Sequence, residues 1–121
     1  SGLKYDSPAE LPKEEFAIQG IDLNRQNVMN ADLERFTSLT QLSTLGLHGT
    51  SVGDKGMEHL ARIKTLSSLE LSYTNVTAKG LETLGTLPNL QTLYLYGVPL
   101  SAETLEEFRR ANPDCTVYHD G

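Results

Sequence analysis

Three segments decide the reading of this chain: Leu42-Ser43-Thr44-Leu45-Gly46-Leu47, Leu66-Ser67-Ser68-Leu69-Glu70-Leu71 and Leu90-Gln91-Thr92-Leu93-Tyr94-Leu95. They start at Leu42, Leu66 and Leu90, a constant step of 24. The same step carries outward in both directions. Ile21 precedes Leu45, Leu69 and Leu93, and Val117 follows them. Leu23, Leu47, Leu71 and Leu95 form a second register, and Ile18, Leu42, Leu66 and Leu90 a third. Val28, Val52, Val76 and Leu100 share a fourth, Leu33, Met57, Leu81 and Leu105 a fifth, and Phe36, Leu60, Leu84 and Phe108 a sixth. Leu39, Ile63 and Leu87 make a seventh, which ends on Ala111. No insertion interrupts the step. A fixed period of this length marks a solenoid, whose units bury their apolar sides only by stacking.

Each unit changes period halfway. Leu45-Gly46-Leu47, Leu69-Glu70-Leu71 and Leu93-Tyr94-Leu95 alternate with period two, as a half-buried strand does. Met57, Leu60 and Ile63, or Leu81, Leu84 and Leu87, then recur at every third position, which predicts one face of a helix. The expected strands are 20–24, 44–48, 68–72 and 92–96, with a fifth near 116–119. The expected outer helices are 31–38, 55–62, 79–86 and 102–111. Ser101 is placed to cap the last helix, and Arg109 and Arg110 fall in its final turn.

These segments resemble the leucine-rich-repeat signature L-x-x-L-x-L-x-x-N/C-x-L over roughly residues 18–119. Thr50-Ser51-Val52 with Gly56-Met57, and Thr74-Asn75-Val76 with Gly80-Leu81, are similar to the bacterial and ribonuclease-inhibitor-like variants. The resemblance implies a short right-handed α/β horseshoe, with a parallel sheet on the concave face and short helices on the convex face. The resemblance is specific for fold and says little of function; an open curved sheet in a repeat protein suits a protein-interaction module. The chain departs from the signature at the Asn/Cys column, which holds Gln26, Thr50, Thr74 and Val98. A Thr hydroxyl replaces part of the bonding that Asn supplies there, and Val98 replaces none. The turn after residues 92–96, with Gly97 and Pro99 beside it, is therefore expected to differ from the others.

The ends are read separately. Residues 1–15 carry no repeat and are expected to be a cap or linker, with Pro12-Lys13-Glu14-Glu15-Phe16 able to start a capping helix. Residues 16–121 form the repeat domain, about four units and a terminal strand. That strand would leave an unpaired edge, a route to self-association.

Composition excludes some partners. The chain of 121 residues has a net charge of −6, which disfavours nucleic acid and acidic membrane surfaces. No run approaches the roughly 18 apolar residues of a membrane span. A single cysteine, Cys115, permits no intrachain disulfide and is expected to be a partly buried structural thiol.

Aligning the strands puts Asp22, Gly46, Glu70, Tyr94 and Tyr118 in one row of the sheet, and Asn24, His48, Ser72, Tyr96 and Asp120 in the next. Tyr73 falls one place further on, in a column with Arg25, Gly49 and Gly97. The expected binding face therefore comprises Tyr73, Tyr94, Tyr96 and Tyr118, with Glu70 and His48 at its margin. Tyrosine pairs a large apolar ring with a hydrogen-bonding tip, which suits an interface core, although it is also a good strand residue. The partner expected is a protein or peptide. Assembly through the solenoid ends is the alternative.

Catalysis is the weaker reading. His48 lies beside Ser72 with Asp22 and Glu70 diagonal to it, but no Gly-x-Ser-x-Gly elbow accompanies Ser72. His48, His59 and His119 form no His-Glu-x-x-His, so no metal is expected. Gly53-Asp54-Lys55-Gly56 lacks the phosphate-loop spacing, and its glycines are assigned to the turn into the helix. No cofactor is implied.

Overall fold

The computed structural model describes residues 3–4 and 19–119. Among these, six parallel strands form one sheet in chain order: β1 (Leu3–Lys4), β2 (Gly20–Asp22), β3 (Thr44–Gly46), β4 (Ser68–Glu70), β5 (Thr92–Tyr94) and β6 (Thr116–Tyr118). Register follows the repeat: Leu45 pairs with Ile21 and Leu69, and Leu93 with Leu69 and Val117. Three helices, α1 (Asp54–Leu60), α2 (Ala78–Leu84) and α3 (Ala102–Ala111), return the chain along the other side. The leucine columns between sheet and helices are buried, from Ile21 to Val117.

Four features differ from expectation, the last being strand length. The first outer segment, Asn30–Ser38, is a 3₁₀ helix rather than an α-helix. Its core contacts Leu33 and Phe36 stand at i and i+3, positions whose side chains eclipse in a 3₁₀ helix. Second, β1 extends the sheet before the first repeat, pairing Leu3 with Ile21 at a step of 18 rather than 24. So short a strand shows no period-two pattern. Residues 5–18, including Tyr5, Ile18 and the expected capping helix, lie outside the described residues.

Third, the turn after β5 is built like the others. Arg25, Gly49, Tyr73 and Gly97 all have positive φ, between 59° and 71°. Val98 N–H donates to Leu95 O as Thr50 N–H does to Leu47 O and Gln26 N–H to Leu23 O. What Val98 lacks is the added side-chain bond, which Thr50 and Thr74 make to Leu47 O (2.8 Å) and Leu71 O (2.7 Å). The backbone thus sets this turn and the hydroxyl only reinforces it.

The strands β2 to β6 are shorter than expected, yet inter-unit bonding runs past them. Leu47 N–H donates to Glu70 O and Gly49 N–H to Ser72 O, and Leu71 and Tyr73 donate likewise to Tyr94 and Tyr96. These bonds fix the rows beyond each strand.

A second polar lattice spaces the helices. The Asn30 amide oxygen accepts N–H bonds from Gly53 (2.7 Å) and Gly56 (3.1 Å) of the next unit. One unit on, an Asp54 carboxylate oxygen accepts from Thr77 (2.8 Å) and Gly80 (3.1 Å), and Thr77 Oγ1 donates to its other oxygen. Each acceptor caps the helix of the following unit, satisfying N–H groups that no intrahelical carbonyl reaches. The approach needs glycine: a Cβ at Gly56 would stand 2.7 Å from Asn30 Oδ1, and one at Gly80 2.5 Å from Asp54 Oδ1. The next residue in this column is Ala78, which has no side-chain acceptor. There α3 is capped from within its own unit, as Ser101 Oγ accepts from Thr104 N–H at 3.1 Å. A groove of about 570 Å³ lies between α2 and α3, lined by Ala78, Leu81, Thr104 and Phe108 among others.

Candidate functional site

The concave face is assembled by the sheet register. Asp22, Gly46, Glu70, Tyr94 and Tyr118 are consecutive partners across β2 to β6, so the first predicted row is observed. In the second row Asn24, His48, Ser72 and Tyr96 are linked between units. Asn24 Oδ1 accepts from His48 N–H at 2.8 Å, and Ser72 Oγ from Tyr96 N–H at 2.9 Å. Asp120 lies outside the described residues.

Two kinds of unit alternate along this face. In the units of β2 and β4 a row-one carboxylate binds its own backbone: Asp22 Oδ1 accepts from Asn24 N–H (3.0 Å) and Glu70 Oε1 from Ser72 N–H (2.9 Å). In these units a large residue, Arg25 or Tyr73, takes the left-handed position. In the units of β3 and β5 glycine takes it instead. The large residue lies over the glycine of the next unit. Arg25 Cγ would stand 3.5 Å from a Cβ on Gly49, and a Cβ on Gly97 would run into the Tyr73 ring. The pattern therefore recurs at every second unit. It is legible in the sequence as Arg25, Gly49, Tyr73, Gly97, and a reading by single units misses it.

Arg25 and Tyr73 are the strained members. A left-handed conformation costs a residue with a Cβ about 1–2 kcal/mol. At Tyr73 the conformation is held by the backbone N–H donating to Tyr96 O at 2.7 Å. The exposed ring is tilted 55° against the His48 ring, with centroids 5.2 Å apart. Tyr94 and Tyr118 stack at 4.9 Å and 12°, the separation that neighbouring strands impose. Three of the four predicted tyrosines therefore fall into two groups: a stacked pair at the carboxyl-terminal edge, and Tyr73 with His48 toward the centre. Tyr96 lies in the row between them. Of the large hydrophobic residues most exposed among the described ones, Tyr73 (58%), Tyr96 (38%) and Tyr118 (41%) are on this face, and Met29 (59%) is elsewhere.

The polar residues are placed differently from what the catalytic reading requires. Ser72 is fully buried and its Oγ is engaged with Tyr96 N–H, so it serves the sheet. His48 Nδ1 is 4.0 Å from Glu70 Oε1, near enough for an ion pair when the imidazole is protonated. His119 is half-buried, its Nε2 2.7 Å from Val98 O. Cys115 is buried, and burial pushes its thiol above the usual range, away from the reactive thiolate. Among the described residues no three His, Cys, Asp or Glu groups converge as a metal site. No helix there is long and apolar enough to cross a membrane.

At the open side of β6, Arg109 donates to Val117 O at 3.0 Å. Thr116 N–H and Tyr118 O bond to the preceding unit, so the Val117 backbone faces outward and a side chain occupies its carbonyl. From the sequence, Arg109 is placed only at the helix terminus. Its reach to the strand depends on the turn at residues 112–115.

Neither a family model nor a curated protein matches the sequence. Solved structures do. Leiomodin-1 actin-binding site 2 superposes with a TM-score of 0.72 at 21% identity, over 94% of this chain and 78% of that one. An internalin from Listeria monocytogenes gives 0.67 at 20% identity over 86% of this chain, and a leucine-rich-repeat protein of Leptospira interrogans 0.59 at 22% over 83%. This chain spans only 28% and 25% of those two. The 24-residue register, the parallel sheet in chain order and these neighbours together show that the chain has the leucine-rich-repeat fold.

Proposed function

We propose that this chain is a protein- or peptide-binding module that uses its concave face, with Tyr73, Tyr94, Tyr96 and Tyr118 at the centre and Glu70 and His48 at the margin. The observation that carries the reading is the exposure of Tyr73, Tyr96 and Tyr118 together on one face of the sheet. Water-exposed aromatic rings held by a fixed backbone anchor a partner with little ordering cost. The left-handed backbone of Tyr73 supports it, since strain of this kind concentrates at ligand-contacting positions. The leiomodin neighbour, described as an actin-binding site, supports a protein as the class of partner.

The test is capture from the source cell with wild type and Tyr94→Ala side by side, followed by titration calorimetry against the captured protein. Tyr94→Ala should weaken binding by about 2 kcal/mol, as hot-spot truncations do. Its melting temperature should stay close to wild type, because the ring is outside the leucine core. Glu58→Ala and Lys79→Ala, exposed on the outer helices, should bind normally. Loss of binding in the helix variants with retention in Tyr94→Ala would move the site to the convex side.

A further inference from the structure

We infer that the concave face holds a planar cation, an arginine side chain of the partner, stacked on Tyr94 and lying over Glu70. The inference rests on the concave-face reading and makes it chemically specific.

Tyr94 stacks on Tyr118 with the rings nearly parallel at 4.9 Å. The two residues are register partners on adjacent strands, so the stack runs across the sheet. One face of Tyr94 is thus covered by Tyr118, and the other is turned toward β4. The register partner of Tyr94 on β4 is Glu70. Nothing flat fits between adjacent columns about 4.8 Å apart, but the Glu70 side chain is shorter than a tyrosine and is tied to Ser72 N–H, so a flat group can take the next layer of the stack above it.

Glu70 supplies the charge. Its Oε1 is held by Ser72 N–H at 2.9 Å and lies 4.0 Å from His48 Nδ1. Its Oε2 takes part in neither contact. The side chain is 28% exposed, enough to meet a ligand yet partly shielded from water. The face around it, from Ser72 and Tyr73 to Tyr94, Tyr96 and Tyr118, carries no lysine or arginine to neutralise it. Arg25 lies two units away over Gly49, and Arg109 is bonded to Val117 O. Asp22, the other row-one carboxylate, is placed differently: its register partner is Gly46, which offers no ring.

A guanidinium meets both demands. It is flat, so it stacks on a tyrosine face, and it presents N–H groups edge-on to a carboxylate oxygen. An ammonium meets the carboxylate but not the stack. An uncharged ureido group has the shape and lacks the charge.

The test is a heteronuclear NMR titration of the isotope-labelled chain with three blocked pentapeptides, Gly-Gly-X-Gly-Gly, in which X is arginine, lysine or citrulline. Amide shifts should cluster at residues 70, 72, 94, 96 and 118. The arginine peptide should bind about three- to tenfold more tightly than the other two, in the range expected of an exposed cation–aromatic contact with a partly shielded ion pair. Glu70→Gln preserves an acceptor for Ser72 N–H and should remove the preference for arginine over citrulline. Tyr94→Leu should remove the preference for arginine over lysine, with its spectrum reporting that it is folded. Equal affinity for the three peptides, shifts elsewhere, or no binding would overturn the inference. If Tyr94→Ala still loses the captured protein in that case, the concave-face reading stands and only the arginine is wrong. If it does not, both fail.

Discussion

The central units and the last unit share one leucine register but are held together differently. Between α1 and α2 the junction is laced: Asp54 takes Thr77 N–H, Thr77 Oγ1 and Gly80 N–H, and glycine makes room for it. Between α2 and α3 the equivalent residue is Ala78, the cap is local to Ser101, and a groove opens. In the core, Leu69 is packed between Leu45 and Leu93, whereas among the described residues Val117 has a strand partner on one side only. The exposed tyrosines Tyr96 and Tyr118 belong to this looser end. The leucine columns therefore set which units stack, and polar side chains between units set how tightly the convex side closes.

The core half of this comparison should give the largest effect. Leu69→Ala and Leu71→Ala should each lose about 2–5 kcal/mol, the usual cost of a large-to-small change in a packed core. Val117→Ala should lose clearly less. Denaturant melts of the three variants decide it, and equal losses at Leu69 and Val117 would contradict one-sided packing at the end.

The lattice on the convex side should give the next. Asp54→Ala removes acceptors from α2 and should cost about 1–2 kcal/mol. Gly80→Ala should cost a similar amount, about 1–3 kcal/mol, since the new methyl meets Asp54 and Val76. Ser101→Ala should cost about 1 kcal/mol and act on α3 alone. Amide exchange separates them: Asp54→Ala should speed exchange at residues 77 and 80, and Ser101→Ala at residue 104. If Ser101→Ala speeds exchange at residues 77 and 80 as well, the two junctions are not different in kind.

The smallest effect concerns the open strand. Arg109→Ala frees the Val117 carbonyl and should barely change the melting temperature, since a single part-buried side-chain bond contributes little. Its consequence should be association: an edge strand with free backbone groups pairs with another chain. Sedimentation should show concentration-dependent dimers in Arg109→Ala beyond those of wild type. Identical profiles would mean that Arg109 does not guard the edge.

Much of this was legible in the residues alone. The 24-residue step placed each leucine column, and β2 to β6 follow from it because period-two alternation with a fixed repeat admits one stacking register. The row from Asp22 to Tyr118 followed from the same register, whereas the pairing of Tyr94 with Tyr118 and of Tyr73 with His48 did not. Asn30 and Asp54 were also in view, one repeat apart, with Gly56 and Gly80 at matching places in the units that follow them. Polar surface positions carry no periodic hydrophobic signal, so their pairing is not evident from the sequence.

What the sequence determined by itself is the part governed by burial: the repeat, the parallel order, the core and the face on which the tyrosines stand. An apolar residue has one favourable destination, so its spacing is informative. Only the tertiary structure decided where the polar groups go. Ser72 bonds Tyr96 N–H rather than His48, Arg109 crosses to Val117 O, and Tyr73 accepts a left-handed backbone to lie over Gly97. A hydroxyl, a guanidinium or a tyrosine has several partners of nearly equal energy, and the choice among them depends on which backbone groups the fold leaves within about 3 Å.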